Sequence, residues 1–478
     1  MTPREAARAI WNAALAAGDV RGLVDRALQR ESRHLAGAER VLVLGCGKAS
    51  AAMARAAEDV LGDRIAGGFV VVKDGYTTPT RRVTIAEAGH PVPDARGEAA
   101  ADRLLALARD AGAGERLLFL VSGGGSALTP APTPPVTLAE KQAVTRLLLA
   151  SGATINELNA VRKHLSRFKG GQLARAAAPA PILTLALSDV IGDPLDVIAS
   201  GPTAPDPTTF ADALGVLEAR KIRGQAPTSV VQRLEAGARG EIAETPKPGD
   251  PLFRSVTNVV IGNNELVVRA AADAARRIGY VPTVLGSGIE GEARVVARDL
   301  VARGRALTPP ACLIAGGETT VTVRGRGRGG RCQELALAAA LELGSADDLV
   351  VLAAGTDGTD GPTDAAGAIV DGRTLERGGA DARRWLDDND AYAYLARSGD
   401  LLTTGPTNTN LLDVYLVLRP GSHVPRTSVR GQCSRRNTIA RVEPPGLRAR
   451  QTATPPCGHR SGWYVTCLIS GYGGAAGE

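Results

Sequence analysis

The sequence predicts an α/β fold built from two α/β domains, and three observations predict it. Short apolar runs end in glycine clusters: 41–44 before Gly45-Cys46-Gly47-Lys48, 117–121 before Ser122-Gly123-Gly124-Gly125-Ser126, and 349–354 before Gly355-Thr356-Asp357. Runs this short that stop at glycine read as buried parallel strands feeding tight turns. Stretches of helical period, rich in Ala and Leu, alternate with them, as in βαβ units. The rhythm then restarts after a Pro/Gly-rich segment at 241–252, in a chain of 478 residues that is long enough for two domains. The expected division is a first domain at 1–240, a linker at 241–252, a second domain at 253–419 and a tail at 420–478 outside the fold.

Composition narrows the function classes. The chain is 44% hydrophobic and 22% charged, ordinary for a soluble globular protein, and no run approaches a transmembrane span. Arg4, Glu5 and Arg8 stand among alanines after Pro3, the pattern of an amphipathic helix rather than a signal peptide, so a cytoplasmic location is expected. The net charge of +6 belongs to the tail, which from Pro420 onward holds eight Arg, no Lys and two acids. Residues 1–419 are neutral, which argues against a nucleic-acid partner. Cys46, Cys312 and Cys332 read as free thiols, and no cysteine pair has zinc-finger spacing.

In chain order, 41–58 reads as strand, glycine turn and helix. It approaches two phosphate-binding motifs and completes neither. A P-loop needs a Gly within the run that precedes Gly45, where 41–44 has none, and Ser or Thr at 49; a dinucleotide turn needs Gly or Ala at 50 and an acid after the second strand, where 69–72 ends in Lys73-Asp74. Lys48 nevertheless stands at a helix N-terminus, where the macrodipole disfavours a cation. A functional role and a solvated surface lysine are the two readings. The proline-restricted loop around His90 leads into a helix at 95–110. At 122–126, three glycines let the backbone approach a ligand and aim N–H groups at an anion.

Helices are expected over 137–175. Asn159, Arg162, Lys163 and Ser166 fall on one helix face and suit an anionic ligand. The apolar run 181–187 ends in Ser188-Asp189, with Asp193 following; carboxylates at such an edge hold magnesium or activate a hydroxyl in phosphoryl transfer. Asp193 equally suits a turn cap. The run 256–261 is expected to open the second domain. The strand 311–315 ends in Gly316-Gly317-Glu318-Thr319, and a Gly/Arg run at 323–331 precedes a helix, an anion-binding arrangement. The run 411–418 is the expected last strand.

Nine motifs occur in order: GCGKA at 45–49, GHPVPD at 89–94, VSGGGSAL at 121–128, the basic segment 156–171, SDVIGD at 188–193 with ASGPT at 199–203, GGET at 316–319, GGRCQELAL at 329–337, GTDGTDGPTDAAGA at 355–368 and TGPTNTN at 404–410. Together they resemble the glycerate 2-kinase family, whose C-terminal half is known as the MOFRL domain, over residues 1–419. The resemblance implies an N-terminal Rossmann-like parallel sheet, a C-terminal MOFRL-type mixed sheet and an active-site cleft between them. It implies ATP and Mg2+ as cofactors and transfer of the γ-phosphoryl of ATP to D-glycerate, giving 2-phosphoglycerate. Lys48 and Arg331 match its catalytic basic positions.

Beside these, Asp189 is the candidate to orient or deprotonate the hydroxyl, and Asp189, Asp193 and Asp357 are candidates for the metal. Gly45, Gly47, Ser122, Gly123, Gly124, Gly125, Ser126, Asn159, Arg162, Lys163, Gly317, Glu318, Thr319, Gln333 and Thr356 are candidates for substrate or nucleotide contact. Two positions depart from the family pattern: Cys332 stands where Asn is usual, and Asn408 where Gly is usual. The expected partners are the small-molecule substrate and ATP, with no nucleic acid and no membrane; a homodimer is left open. The alternatives are an NAD(P)H-dependent hydroxypyruvate reductase, which the missing dinucleotide fingerprint disfavours, and a non-catalytic anion-binding protein using the Gly/Arg run.

Overall fold

A computed structural model describes residues 1–421 apart from 39, 113, 346 and 347; all but the first two residues of the tail expected at 420–478 lie outside the described residues. Two six-stranded sheets organise the chain. The first holds β1 (Arg40–Cys46), β2 (Ile65–Lys73), β3 (Val83–Ala88), β4 (Glu115–Val121), β5 (Ile182–Leu187) and β6 (Val256–Gly262) in the order β3-β2-β1-β4-β5-β6. Every neighbouring pair is parallel. The strand order reverses between β1 and β4, so the turns leaving these two strands flank the crevice where open α/β sheets take their ligands.

The second sheet holds β7 (Val281–Glu292), β8 (Ala311–Thr320), β9 (Val350–Gly355), β10 (Gly367–Asp371), β11 (Leu401–Leu402) and β12 (Asp413–Arg419) in the order β11-β10-β9-β12-β8-β7. Only β7 and β8 pair in parallel; the other pairs are antiparallel, so the sheet is mixed as expected.

Two expected boundaries move. The strand expected to open the second domain is β6, and it completes the first sheet against β5. Its Asn258 donates to the Thr203 carbonyl and accepts from the Thr203 hydroxyl, which ties it to the segment following β5. The sheets therefore part after β6, along the helix Asn264–Arg277, and not at 241–252. A Pro/Gly-rich composition marks a loop and says nothing about which sheet the next strand joins. The glycines of Gly316-Gly317-Glu318-Thr319 also do not end a strand: β8 runs through them to Thr320, paired with β7 on one side and β12 on the other.

The first helix, Pro3–Ala17, begins as its sequence requires. Pro3 occupies the first turn, and Thr2 and Glu5 cap each other's backbone. Its buried face, with Ile10 and Trp11, joins one apolar cluster reaching from β1 and β4 to Cys312, Ile314 and Leu416 of the second sheet. Arg4 binds Asp371 and Asp400 at 2.7 Å each. The two sheets thus share a core. A separate cluster around Leu148, Leu158, Phe210 and Leu234 forms a helical lobe inserted among the later strands of the first sheet. No described helix is long and apolar enough to cross a membrane.

Candidate active site

The turns after β1 and β4 lock together before they can hold anything. The Lys48 N–H donates to the Gly123 carbonyl at 2.9 Å, and the Ser122 hydroxyl accepts the Ala49 N–H at 2.9 Å. Ser122 thereby serves the start of the helix Ser50–Leu61, a side-chain cap supplied by another strand. Gly47 has φ +132°, and a Cβ there would lie 2.3 Å from the Ser122 hydroxyl. A Cβ on Gly123 would lie 1.9 Å from Asp189. These glycines are required by the close approach of one loop to another. Gly45 has the same role inside the sheet, packed against the Leu120 carbonyl.

The cleft is built from charges that reach it from both sheets. Lys48 projects toward Asp357, beyond the end of β9, with 3.6 Å between Nζ and Oδ2. Asp189, beyond β5, accepts a hydrogen bond from the Asn410 amide at 3.0 Å. Asp189 is partly exposed. Burial raises its carboxyl to about 6, with Glu318 and Asp357 pushing the same way against the opposing pull of Lys48. Burial also raises Glu318, against Arg331 and Lys48. His90 packs against Gly124, and burial together with Lys48 and Lys73 lowers it to about 3, so the imidazole is neutral.

Arg331 starts the helix Arg331–Leu343. Its guanidinium grips the buried Asp413 at 2.6 and 2.9 Å, the forked geometry that fixes an arginine's plane, and binds Glu318 at 2.7 Å. Lys48, Asp189, Glu318, Asp357 and Arg331 therefore form one electrostatic unit. Asp413 and Asn410 hold two of its members; Asp413 lies outside the nine motifs, and Asn410 closes TGPTNTN without a role assigned from sequence.

Several expected ligand contacts have other partners. Lys163 is buried in an ion pair with Asp196 and Asp206, at 2.9 and 3.3 Å. Ser166 lies beyond the helix Ile155–His164 and accepts the Phe168 and Lys169 N–H groups. Asn159 accepts from Ser200, which in turn bonds Ser126 at 2.6 Å. Gln333 and Thr319 are fully buried, Gln333 against the Asp360 loop. Thr356 pins the loop after β9 to Leu411 and Leu412. Asp193 takes up the Asn263 amide.

The backbone of the Gly/Arg run ahead of Arg331 is hydrogen-bonded within the chain. Its N–H groups at Arg324, Gly325, Arg326, Gly327 and Arg328 are taken by the side chains and backbone of Asp388, Asn389 and Asp390. The helix start behind it is capped by Asp360, which accepts from the Cys332 and Gln333 N–H groups at 3.1 and 2.7 Å. Asp360 thus supplies negative charge at this helix start.

Both departures from the family pattern find a local account. Asn408 has φ +59°, the left-handed region that glycine favours and asparagine tolerates best among the other residues. Cys332 is buried in the core of the second sheet, and its thiol adjoins Asp413.

This arrangement has counterparts among known proteins. Residues 6–235 match the family model DUF4147, a domain of unknown function, and residues 311–413 match the MOFRL family. The D-glycerate 2-kinase of Thermotoga maritima is 44% identical, over 82% of this chain and 94% of its own. The chain belongs to the glycerate 2-kinase family. The glycerate 2-kinase of Pyrococcus horikoshii is 42% identical over 79% of this chain and 87% of its own. A crystal structure of Thermotoga maritima glycerate kinase superposes with a TM-score of 0.77, covering 87% of this chain and 99% of that one, at 42% identity. Family members in Agrobacterium vitis carry a provisional hydroxypyruvate reductase name; one is 41% identical.

Proposed function

We propose that the protein transfers the γ-phosphoryl of ATP to a hydroxyl of D-glycerate, giving 2-phosphoglycerate. The observation that carries this reading is the meeting of Lys48 and Arg331, each from a different sheet, around three carboxylates, in a chain 42–44% identical to two glycerate 2-kinases. Phosphoryl transfer asks little covalent chemistry of a protein; it asks for position and spread charge. Lys48 and Arg331 supply positive charge where charge develops on the transferred group. Asp189, held by Asn410, accepts the hydroxyl proton.

Among the described residues no three His, Cys, Asp or Glu side chains gather into a metal-binding group. That suits Mg2+, which takes one or two carboxylates and fills its sphere with water and substrate phosphates. Glu318 and Asp357, crowded with Asp189, are the carboxylates that would hold it, and the ion would neutralise phosphate charge there.

The reductase reading lacks a nicotinamide site. Asp74, the carboxylate that follows β2, is forked to Arg96 at 2.7 and 2.8 Å, and Ser50 fills the position a dinucleotide turn gives to glycine or alanine. One coupled assay separates the readings. ADP release that depends on D-glycerate is the expected result; NADH oxidation with hydroxypyruvate and no ADP release would overturn it. The Asp189 role adds a pH limb. Its carboxyl must be ionised to take a proton, so kcat/KM is expected to fall below pH 6, by about tenfold per unit on the acid side. A rate that stays level down to pH 4.5 removes Asp189 from that role.

A further inference from the structure

A cavity of about 120 Å³ opens beside the Lys48 centre and shares His90 and Gly124 with it. For scale, a cavity of about 150 Å³ admits benzene, so the space suits a small molecule and not a nucleotide. Its polar lining is Ser126, Gln142, Thr145 and three cationic side chains, Lys141, Arg162 and Lys169; among the described residues no carboxylate lines it. Lys141 and Lys169 are almost wholly buried, at 6% and 1% exposure, and neither has an ion pair among the described residues.

Their hydrogen bonds go only to backbone carbonyls. Lys141 donates to Pro130 at 2.6 Å and Leu165 at 3.1 Å, and Lys169 to Thr129 at 2.8 Å. An ammonium has three N–H groups, so one remains on Lys141 and two on Lys169. Buried ammonium groups without a counter-charge are costly. Burial lowers Lys169 to about 7 and Lys141 well below the usual lysine range. The groups facing Lys169 relieve none of this: Arg162 and Lys141 are cations, and burial pushes the Cys46 thiol up to about 12, leaving it neutral.

We propose that this cavity is the subsite for the carboxylate of the acid substrate, with Lys141 and Lys169 as its ligands. The proposal rests on the kinase reading above. An arriving carboxylate supplies the missing counter-charge and takes the remaining N–H groups. Gly124 separates the cavity from the Lys48 side chain by a single residue's width, so an acid anchored there presents its hydroxyl carbons toward Lys48 and Asp189. The subsite would select carboxylic acids over uncharged polyols.

The test is steady-state kinetics and calorimetric binding of D-glycerate on full-length Lys141→Met and Lys169→Met, with inorganic phosphate as a competitor. Each variant is expected to raise the KM and Kd for D-glycerate by about tenfold or more, the range of a lost charge-assisted hydrogen bond, with the KM for ATP within twofold. Phosphate is expected to compete with D-glycerate and not with ATP. In the unaltered protein, glycerate affinity falls as pH rises above 7 and Lys169 loses its proton; Lys169→Met abolishes that dependence. A purely structural lysine would leave the pH dependence and the glycerate-to-ATP ratio unmoved. An unchanged glycerate KM in both variants overturns the proposal, as does a loss confined to ATP, which assigns the cavity to a nucleotide phosphate. Should a variant fail to fold, the pH dependence of glycerate binding to the unaltered protein decides. Absence of glycerate-dependent ADP release from the unaltered protein is the distinct outcome that overturns the kinase reading itself.

Discussion

Lys48→Met lowers kcat by about 10³-fold, the scale on which a single positive group at a transferring phosphoryl acts, and leaves the fold in place. The two halves of this expectation have separate grounds. Lys48 sits at the start of the helix Ser50–Leu61, where a cation is unfavourable, and its ion pair with Asp357 is a loose 3.6 Å with both side chains partly exposed. Removing the charge therefore changes stability little. What is lost is charge at the point where β1, β4, β5 and β9 aim their ends. The KM values for ATP and D-glycerate are expected to move far less than kcat. Steady-state kinetics beside a thermal melt checks both parts, and a variant within tenfold of the unaltered kcat excludes Lys48 from the chemistry.

Asp413→Ala has the second largest effect, and it strikes stability and activity together. Asp413 is 1% exposed and takes two hydrogen bonds from Arg331 and a third, at 3.0 Å, from the Tyr415 hydroxyl. Deleting one partner of a buried pair strands the other, at about 3–5 kcal/mol for a fully buried case; Arg331 reaches solvent on one side, so about 3 kcal/mol is expected. The guanidinium also loses the fork that sets its plane, while its ion pair with Glu318 stays. Activity is expected to fall by about a hundredfold even at temperatures where the variant is folded. Denaturant unfolding and kcat/KM measured on the same preparation test the two effects. A stable variant with normal turnover would mean that Arg331 needs no such anchor.

The architecture was legible where local chemistry decides it. Apolar runs ending in glycine mark β1, β4 and β9, and Pro3 with Thr2 marks the first helix start. The assignment of β6 was not legible, because its residues fit either sheet and only its pairing with β5 decides. The site divides in the same way. Lys48 stands out because its position opposes the helix dipole, and Asp189 because it follows a buried strand directly. Lys163 misled because helical spacing puts it on a face with Arg162, yet spacing carries no information about Asp196 and Asp206, which claim it. Lys141 is not singled out by the sequence, and Lys169 only as part of the basic segment 156–171, because only tertiary packing buries them. The glycines of 122–125 were read as donors to an anion, whereas much of their necessity comes from the crossing of loops at Gly47 and Gly123.

The strand order of the second sheet has a consequence for how the molecule comes into being. Of the twelve described strands β12 is the last to leave the ribosome, yet it lies between β8 and β9. Until it arrives, the nascent chain holds two apolar strands with a gap between them and unpaired edges facing it, the form most open to wrong association. The same late segment brings Asp413 to Arg331 and, just ahead of it, Asn410 to Asp189. A chain interrupted before residue 410 therefore lacks the middle of its sheet and both anchors of its cleft at once. Arrival of β12, closure of the sheet and the anchoring of Arg331 and Asp189 are one event.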